Sequence, residues 1–305
     1  MTEDRIFIPQ QYGIDYCKSP QAIVFEDFVR IYFSYCVSDG VKLISKVAFI
    51  DFDKHFNAIS DVHKDILGKS KLGTFDEHGI FPFSPFRDGN RICAVTTGWS
   101  RRKSVSTDTG IGLAISADDG ATFKRMGDGP ILSSSLYEPF LVCDGFVVQS
   151  EDNYIMYYIF GTDWAAYEGA SQPERTYRIG VASSKNLLDW DRYGEQIIPY
   201  TFEGEAQALP SVIYKNGKWH MFFCYRNTVG FRMEAGKGYR IGYAYSEDMY
   251  HWTRDDGKIS IPISDWCSEM QCYPNVFDLD GEAYLLYNGN HFGKDGFGIM
   301  KLEEL

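Results

Sequence analysis

The sequence predicts an all-β fold, a five-bladed β-propeller with four antiparallel strands in each blade. Three observations support this prediction. A strand motif, Ile-Gly-x-Ala-x-Ser, occurs three times, and a unit of two apolar runs joined by a tight polar turn occurs five times. No long segment has the apolar periodicity of a helix. Because repeats of this size indicate a propeller, we expect residues 1–305 to form one domain.

The repeated motif marks one strand of each middle blade. It reads IGLAIS, IGVASS and IGYAYS, and its glycines are Gly112, Gly180 and Gly242. Alternate Ile and Ala side chains would face one side of a buried sheet, while Gly allows a neighbouring strand to come close. The Ser and a later aromatic residue would mark the turn into a short fourth strand.

The five-fold unit supplies the first two strands of each blade. Each copy has a proline near its start and a turn rich in Asp, Asn, Gly and Glu, as hairpin connections require. The third strand of the first blade is LISKVAFID (43–51), and that of the last is GFGIMKL (296–302). The five units span residues 19–35, 84–99, 138–161, 209–226 and 273–290.

The fifth blade lacks a fourth strand, because its third strand ends near Leu302. An open sheet edge invites aggregation, so a propeller ring is expected to be closed. The N-terminal segment RIFIP (5–9) is β-like and has no other partner. It is predicted to supply the missing outer strand.

Composition excludes several classes of partner. A net charge of −12 argues against nucleic acid or an anionic membrane, and no apolar run reaches the length of a membrane span. The N-terminus, MTEDRIFIPQQ, lacks the pattern of a signal peptide. The seven cysteines form no C-x-x-C pair, which predicts free thiols and a cytoplasmic location. Zinc-ligand spacing is absent, although a structural Ca²⁺ in the central channel stays open.

Strand polarity predicts the face that carries a site. In an antiparallel meander, the start of the first strand and the end of the second lie at the same end of the blade. Before the units stand Asp15, Asp76, Glu77, His78, Glu138, Glu205, Asp265 and Glu269. After the second strands stand Trp99, Arg101, Arg102, Asp163, Trp164, Arg226, Asn288, Asn290 and His291.

These residue types suit carbohydrate. Sugar rings stack on Trp, sugar hydroxyls pair with carboxylates and Asn, and two carboxyl groups flanking a glycosidic bond perform its hydrolysis. A crowd of acids also raises some carboxyl pKa values, so that one of them can donate a proton near neutral pH. Each residue also has a structural interpretation, as a turn cap, a solvated side chain or part of the blade packing.

The chain resembles the five-bladed propeller superfamily of carbohydrate-active enzymes over residues 15–302. That superfamily includes glycoside hydrolase families 43, 62, 32 and 68 and the family 130 mannoside phosphorylases. The segments GTFDEHGI, GIGLAIS, WCSEMQCYPNV and YNGNHFGKDGFG further resemble glycosidase-like proteins of bacterial surface-polysaccharide and lipopolysaccharide gene clusters.

The resemblance implies a base at blade one, a pKa-tuning acid at blade three and a proton donor at blade four. Carried over, Glu205 is the proton donor, Glu138 tunes or orients, and Glu77 or Asp15 is the base. The remaining residues named above at this face line the sugar site. Ser19 precedes the first proline where the resemblance implies the base.

The implied activity is a glycosidase-like, inverting reaction on a glycan or nucleotide-sugar substrate. The departure at Ser19 leaves two alternatives open. One is glycosyl transfer or phosphorolysis, with phosphate bound by basic residues such as Arg101, Arg102 and Arg226. The other is a non-catalytic propeller that binds glycan.

Overall fold

The computed structural model describes residues 3–40, 43–150, 153–303 and 305, and twenty strands lie in this part of the chain. None of the helical turns within these ranges is long or apolar enough to cross a bilayer. In chain order the strands are β1 (Glu3–Phe7), β2 (Cys17–Val24), β3 (Val29–Ser38), β4 (Leu43–Phe52), β5 (His63–Lys64), β6 (Ile80–Asp88), β7 (Arg91–Arg101), β8 (Thr107–Ile115), β9 (Lys124–Arg125), β10 (Val142–Ser150), β11 (Asn153–Ala165), β12 (Glu174–Ser184), β13 (Asp191–Arg192), β14 (Glu205–Lys215), β15 (Lys218–Asn227), β16 (Arg240–Ser246), β17 (Thr253–Arg254), β18 (Cys272–Leu279), β19 (Glu282–Asn288) and β20 (Phe297–Leu302).

The strands form five four-stranded antiparallel sheets, which confirms the predicted five-bladed propeller. Blades one to four are β2–β5, β6–β9, β10–β13 and β14–β17, each in chain order, and blade five has the order β1-β20-β19-β18. The fourth strands of blades one to four have only two residues each. Of the polar turn EDN predicted at 151–153, residues 151–152 lie outside the described residues, and Asn153 begins β11.

The N-terminal strand closes the ring, as predicted. β1 pairs with β20, with Phe7 opposite Phe297. Phe7 is 2% exposed, and its ring stacks on Phe297 at a centroid distance of 4.8 Å. The backbone N–H of Ser19 in blade one also donates to Asn288 Oδ1 of blade five at 2.8 Å. Blades one and five are therefore held by both core packing and hydrogen bonds.

The glycines of the repeated motif admit aromatic rings. A Cβ at Gly242 would stand 2.6 Å from the ring of Phe223 on the adjacent strand, and one at Gly112 would stand 2.7 Å from Phe75. Side chains longer than hydrogen at these positions would collide with the rings. The motif therefore serves packing within and beside the blades.

The serines of the motif cap the following turns. Ser184 Oγ accepts the backbone N–H groups of Asn186 and Leu187, and Ser246 Oγ accepts that of Met249 at 3.0 Å. Side-chain oxygens of this kind satisfy turn N–H groups that the ladder leaves free. The Ser thus fixes the chain reversal into each short outer strand.

The hydrophobic core is divided among the blade interfaces. Five clusters of buried residues occur in the described chain, and their members come mainly from neighbouring blades. The cluster between blades five and one contains Phe7, Phe33 and Phe297, while that between blades one and two contains Tyr32 and Phe83. Packing between blades leaves the ring axis free for a cavity.

Candidate active site

One cavity of about 460 Å³ is lined by residues of all five blades. Its walls come from the starts of the first and third strands, the ends of the second strands and the nearby loops. This is the face that strand polarity predicts for a site. The lining residues are Tyr16, Lys18, Leu43, Ser45, Phe81, Thr97, Trp99, Ser106, Thr107, Thr109, Leu141, Cys143, Asp144, Ile159, Arg175, Tyr177, Ala208, Leu209, Phe231, Arg232, Tyr239, Tyr273 and Phe292.

A β-bulge near the start of the first strand of every blade shapes the cavity wall. The strand register shifts near the start of β2, β6, β10, β14 and β18. Such bulges re-aim side chains and are common near functional sites. The residues that the bulged segments contribute to the cavity wall include Lys18, Phe81, Asp144, Leu209 and Tyr273.

Asp144 is the carboxyl group among these lining residues. It lies on β10 with a positive φ of 55°, and only 8% of it is exposed. Its backbone N–H donates to Thr97 Oγ1 at 2.8 Å, and its Oδ2 accepts the backbone N–H of Leu209 at 3.3 Å. Burial raises the pKa of Asp144 to about 7, although the Leu209 N–H and the charge of Arg175 oppose this shift. Asp144 can therefore exchange a proton near neutral pH.

None of the four residues predicted for catalysis lines this cavity. Glu205 is fully buried at the start of β14. Its Oε2 accepts a hydrogen bond from the Thr201 hydroxyl at 2.8 Å, and its Oε1 pairs with Arg254 Nη1 at 2.7 Å. Burial alone would raise the pKa of Glu205, but hydrogen bonds from Thr201 and Gln207 and the ion pair with Arg254 lower it below the ordinary value. A carboxylate held in this way is a poor proton donor at neutral pH.

Glu138 is also fully buried away from the cavity. Its carboxylate accepts hydrogen bonds from Tyr158 and from Ser135 and pairs with Arg192. This arrangement ties the loop before β10 to the second and outer strands of blade three. Glu138 therefore has structural partners for its charge.

The two residues predicted as alternative bases also lie outside the cavity lining. Glu77 Oε2 accepts the backbone N–H of Gly73 at 2.8 Å, and Oε1 lies 3.4 Å from His78 Nδ1. Asp15 is exposed in the turn that precedes β2. The predicted pair of catalytic carboxylates is thus not assembled at the cavity wall.

A cluster from blade two adjoins the cavity through Trp99. Trp99 lines the cavity and donates from Nε1 to Ser45 Oγ at 3.3 Å. The ring of His78 stacks beside it at 5.5 Å, and the Arg101 guanidinium lies 5.6 Å from its centroid. Asp76 is buried beneath this segment and pairs with Arg125 at 2.6 Å. Of the predicted binding residues, only Trp99 contributes to the described cavity lining.

Arg226 lies behind the cavity wall. It is 1% exposed, and its guanidinium stacks 3.7 Å from the ring centroid of Phe231. Its Nη2 donates to the hydroxyl of Tyr177 at 2.9 Å and to the carbonyl of Arg175 at 3.2 Å. Arg226 therefore supports three lining residues without lining the cavity itself.

The predicted residues of blade five have structural partners. Asn288 is fully buried and donates to the carbonyls of Cys17 and Gly296. Asn290 links the loop before β18 by accepting the Glu269 N–H and donating to the carbonyl of Asp265. His291 is exposed and pairs with Asp295 at 2.7 Å.

The remaining predicted residues lie at the rim. Arg102 pairs with Asp108, whose neighbour Thr109 lines the cavity. Asp163 is exposed, and its Oδ1 accepts the backbone N–H of Trp164 at 2.8 Å. Trp164 is half-buried and packs against the core between blades three and four.

The sequence interpretation missed Lys18, Asp144 and Arg175. The local signal at Asp144 is the Asp-Gly pair inside the apolar run FLVCDGFVV, which is typical of a bulge. Arg175 stands just before a repeated-motif strand, and Lys18 stands just before the Ser-Pro of blade one. Neither cation is distinguished from a solvated side chain by sequence.

The cavity does not fit the Ca²⁺ considered from the sequence. Among the described residues, no group of three or more His, Cys, Asp or Glu side chains lies in an arrangement that would hold a metal ion. Calcium prefers several oxygen ligands with negative charge, whereas this wall combines Asp144 with Lys18, Arg175 and Arg232. We therefore derive no catalytic step through a metal.

Solved structures share this fold at low sequence identity. A protein named "Glycoside hydrolase" matches with a TM-score of 0.74 and 17% identity, covering 95% of this chain and 88% of that one. A thermostable family-43 glycoside hydrolase matches with a TM-score of 0.67 and 17% identity, covering 96% and 91%. A GH43_1 enzyme from Xanthomonas citri gives 0.63 and 13%, covering 99% and 91%. These matches show that the chain shares its propeller fold with these solved proteins.

No protein-family model matches the chain. Two Mycobacterium tuberculosis proteins are each 30% identical to it over 308 residues, covering 98% of this chain and 97% of each relative. They are "Uncharacterized protein MT1551" of strain CDC 1551 / Oshkosh and "Uncharacterized protein Rv1502" of strain H37Rv. The chain therefore belongs to the same family as MT1551 and Rv1502, and its five-bladed propeller is the fold of glycoside hydrolases.

Proposed function

We propose that the protein acts on a glycosyl bond in the central cavity and that Asp144 transfers the proton. The observation that carries this proposal is the buried carboxyl of Asp144 in the cavity wall, with its pKa raised to about 7. A catalytic acid works best when its pKa lies near the working pH. Asp144 thus replaces Glu205 as the proton donor in our interpretation.

The rest of the wall suits a sugar. The cavity volume of about 460 Å³ lies within the range of small-molecule sites. Trp99, Tyr16 and Tyr273 offer aromatic surface, while Ser45 and Thr97 offer hydroxyl groups. Aromatic surface with a few convergent polar groups is the usual composition of a ligand pocket.

The proton serves the leaving group. Cleavage of a glycosidic bond leaves an oxygen that must gain a proton as the C–O bond breaks. Asp144 is oriented for this by the Leu209 N–H at Oδ2 and by Thr97, which accepts its backbone N–H. The Asp144 carboxylate formed in this step would regain a proton from the incoming group, or from the leaving group in the reverse reaction.

A single carboxyl favours phosphorolysis over hydrolysis. Water needs a second carboxylate as base in the inverting mechanism, and the described lining residues contain Asp144 as their carboxyl group. An incoming phosphate is already an anion and does not need such a base. We therefore rank phosphorolysis above the hydrolysis expected from sequence, whereas transfer to a sugar hydroxyl needs a base just as hydrolysis does.

The first experiment is a mass-spectrometric turnover screen. Purified protein is incubated with nucleotide sugars, sugar phosphates and oligosaccharides, with and without phosphate. The Asp144→Asn variant should lower kcat at least about 100-fold, whereas Asp27→Asn, in the exposed turn between β2 and β3, should not. Full turnover by the Asp144→Asn variant would overturn the assignment.

A non-catalytic glycan-binding propeller is the second candidate. The observation that favours it is that Glu205, Glu138, Glu77 and Asp15 all lie outside the cavity lining. It predicts that a glycan raises the melting temperature while every ligand mass stays unchanged. Such a result would replace the enzyme proposal.

The setting that fits either function is bacterial surface-glycan metabolism in the cytoplasm. The resemblance to proteins of polysaccharide gene clusters supports the first part. All seven cysteines are free, which suits a reducing compartment.

A further inference from the structure

The cavity has a positive charge balance in an acidic protein. The chain carries a net charge of −12. Yet Lys18, Arg175 and Arg232 line the cavity, against the single carboxyl of Asp144. Because fields in a low-dielectric cleft are focused on its contents, this local balance matters more to a ligand than the net charge.

Lys18 presents a cation that lacks a carboxylate partner. It lies half-buried at the bulge of β2, with Nζ 5.4 Å from the ring centroids of both Tyr16 and Phe81. No ion pair of Lys18 occurs within the described residues. The two rings fix the ammonium at the cavity wall through cation–π contacts and leave its charge uncompensated.

Arg175 adds a second such cation. Its Nη1 donates to Ser106 Oγ at 3.0 Å, and no ion pair of Arg175 is present in the part of the chain that the structure describes. Arg232, by contrast, pairs with Glu174 at 2.8 Å. Arg175 is therefore free to take a bidentate anion, which its planar guanidinium suits.

Arg226 reinforces this charge from behind the wall. Its described hydrogen bonds go to carbonyl oxygens and to the Tyr177 hydroxyl, and none goes to a carboxylate. A buried cation without an ionic partner is costly. An anion in the cavity would offset part of this cost, since Phe231 and Tyr177, which contact Arg226, both line the cavity.

From these contacts we infer that the sugar ligand carries an anionic group, a carboxylate or a phosphate, which Lys18 and Arg175 bind. The inference rests on the proposed function for the sugar part of the ligand and adds the charged group. Asp144 stays beside this group as the proton carrier. A neutral sugar would leave both cations without an ion pair.

The test compares matched sugars by calorimetry and thermal shift. Glucose, galactose and mannose are each measured beside their uronates and their 6-phosphates, with inorganic phosphate alone as a further ligand. At least one anionic form should bind about tenfold or more tightly than its neutral parent. Preference for uronates identifies a carboxylate ligand, and preference for 6-phosphates or inorganic phosphate identifies a phosphate ligand.

Variants assign the binding to the cavity. Lys18→Met should weaken the binding of the anionic ligand by about tenfold and leave the binding of its neutral parent unchanged. Lys185→Met removes an exposed lysine in the turn after β12 and serves as the matched control. Equal binding of charged and neutral sugars, absence of anion binding at millimolar concentration, or an unchanged Lys18→Met variant would each overturn the inference.

The two proposals fail in different ways. Binding is measured separately from turnover. Anion binding with unchanged ligand masses therefore rejects the proposed enzyme activity and supports the proposed anionic ligand. Turnover that depends on Asp144 but is the same for charged and neutral ligands supports the enzyme proposal and rejects the proposal of an anionic ligand.

Discussion

Asp144 and Glu205 are both carboxyl groups buried on the first strands of adjacent blades, but their surroundings act in opposite directions. Glu205 is surrounded by donors and by Arg254, which lower its pKa. Asp144 accepts one backbone N–H, faces the cavity, and has its pKa raised to about 7 by burial. Burial alone thus does not identify a proton donor, because the number of hydrogen-bond donors and the nearest cation decide the charge.

Glu205 and Asp144 also differ in role, because the first stabilises its blade and the second lies at the cavity. Glu205 joins β14 to the outer strand β17 through Arg254 and holds blade four together. Asp144 occupies a bulge of β10 with a strained positive φ and an opening to the cavity. The same positive φ recurs at the bulge residues Ser19, Leu209 and Tyr273, so it belongs to the blade repeat. What supports Asp144 as the functional residue is a carboxyl group with few donors at the cavity wall, since under-satisfied acids are expected at functional sites.

The largest expected effect concerns the ring that holds both carboxyl groups. Deleting residues 1–10 removes β1 and Phe7, which is buried between blades five and one. We expect the melting temperature to fall by more than about 10 °C, as measured by differential scanning calorimetry. Leu72→Ala, at a 96% exposed side chain, is the control. An unchanged melting curve after the deletion would contradict closure by β1.

The next effect tests Glu205 as a structural ion-pair partner. Glu205→Gln removes one of the two carboxylates that pair with the buried Arg254 and leaves Asp256 as its partner. The loss of this charged hydrogen bond should cost about 2 kcal/mol of the free energy of unfolding at pH 7. Because the pKa of Glu205 is lowered on folding from an ordinary value of 4.5, its contribution is present above that value and lost as pH falls below it. Urea denaturation at pH 7 and pH 3 measures the difference.

The same variant can break the comparison. If Glu205→Gln folds with unchanged stability but loses turnover, Glu205 is the proton donor after all and Asp144 is not. Adding Arg254→Gln to form a double-mutant cycle separates the pair from its surroundings. The double variant should lose less stability than the two single losses added together.

Substituting Asp144 should change the free energy of unfolding in the opposite direction. Asp144→Asn should stabilise the protein by about 2–4 kcal/mol at pH 8, because the native state no longer has to ionise a buried acid. The pKa of Asp144 rises on folding from 3.8 to about 7, so the wild type loses stability as pH rises through this window. The gain should vanish near pH 4, and a variant equally stabilised at both pH values would contradict the raised pKa.

The smallest effect concerns Arg175. Its charge lowers the pKa of Asp144 against the larger effect of burial. Arg175→Gln should therefore raise the pKa of Asp144 further, by about one unit, in an NMR titration of the carboxyl carbon. Arg232→Gln is the matched control, since Arg232 is paired with Glu174. A fall in the pKa of the Arg175→Gln variant would show that the two groups do not interact as inferred.

Blade three shows why the sequence pattern pointed to Glu138, whereas the cavity wall of this blade carries Asp144. The proline of Glu138-Pro139 was aligned with the prolines that follow the bulges of other blades, such as Ser19-Pro20 and Leu209-Pro210. The first strand of blade three begins only at Val142, and its bulge falls at Asp144-Gly145. The bulge pair Asp144-Gly145 stands six residues after Glu138-Pro139. Extra loop residues shift a motif alignment in this way without disturbing the strand, because loops tolerate insertions.

Glu205 illustrates a different limit. The sequence predicts that Glu205 precedes the unit 209–226, and the structure makes it the first residue of β14. Its partner Arg254 is 49 residues later in the chain, on the outer strand. Sequence alone does not reveal which of several acids meets such a cation.

The sequence by itself determined the blade count, the strand order, the hairpin positions and the closing strand. These features follow from local signals: alternating apolar residues, turn residues, and glycines and serines that repeat with each blade. The tertiary structure decided which polar side chains face the axis and what charge they carry there. That choice depends on one-residue bulges and on contacts between residues far apart in the chain, and neither leaves a periodic signal in the sequence.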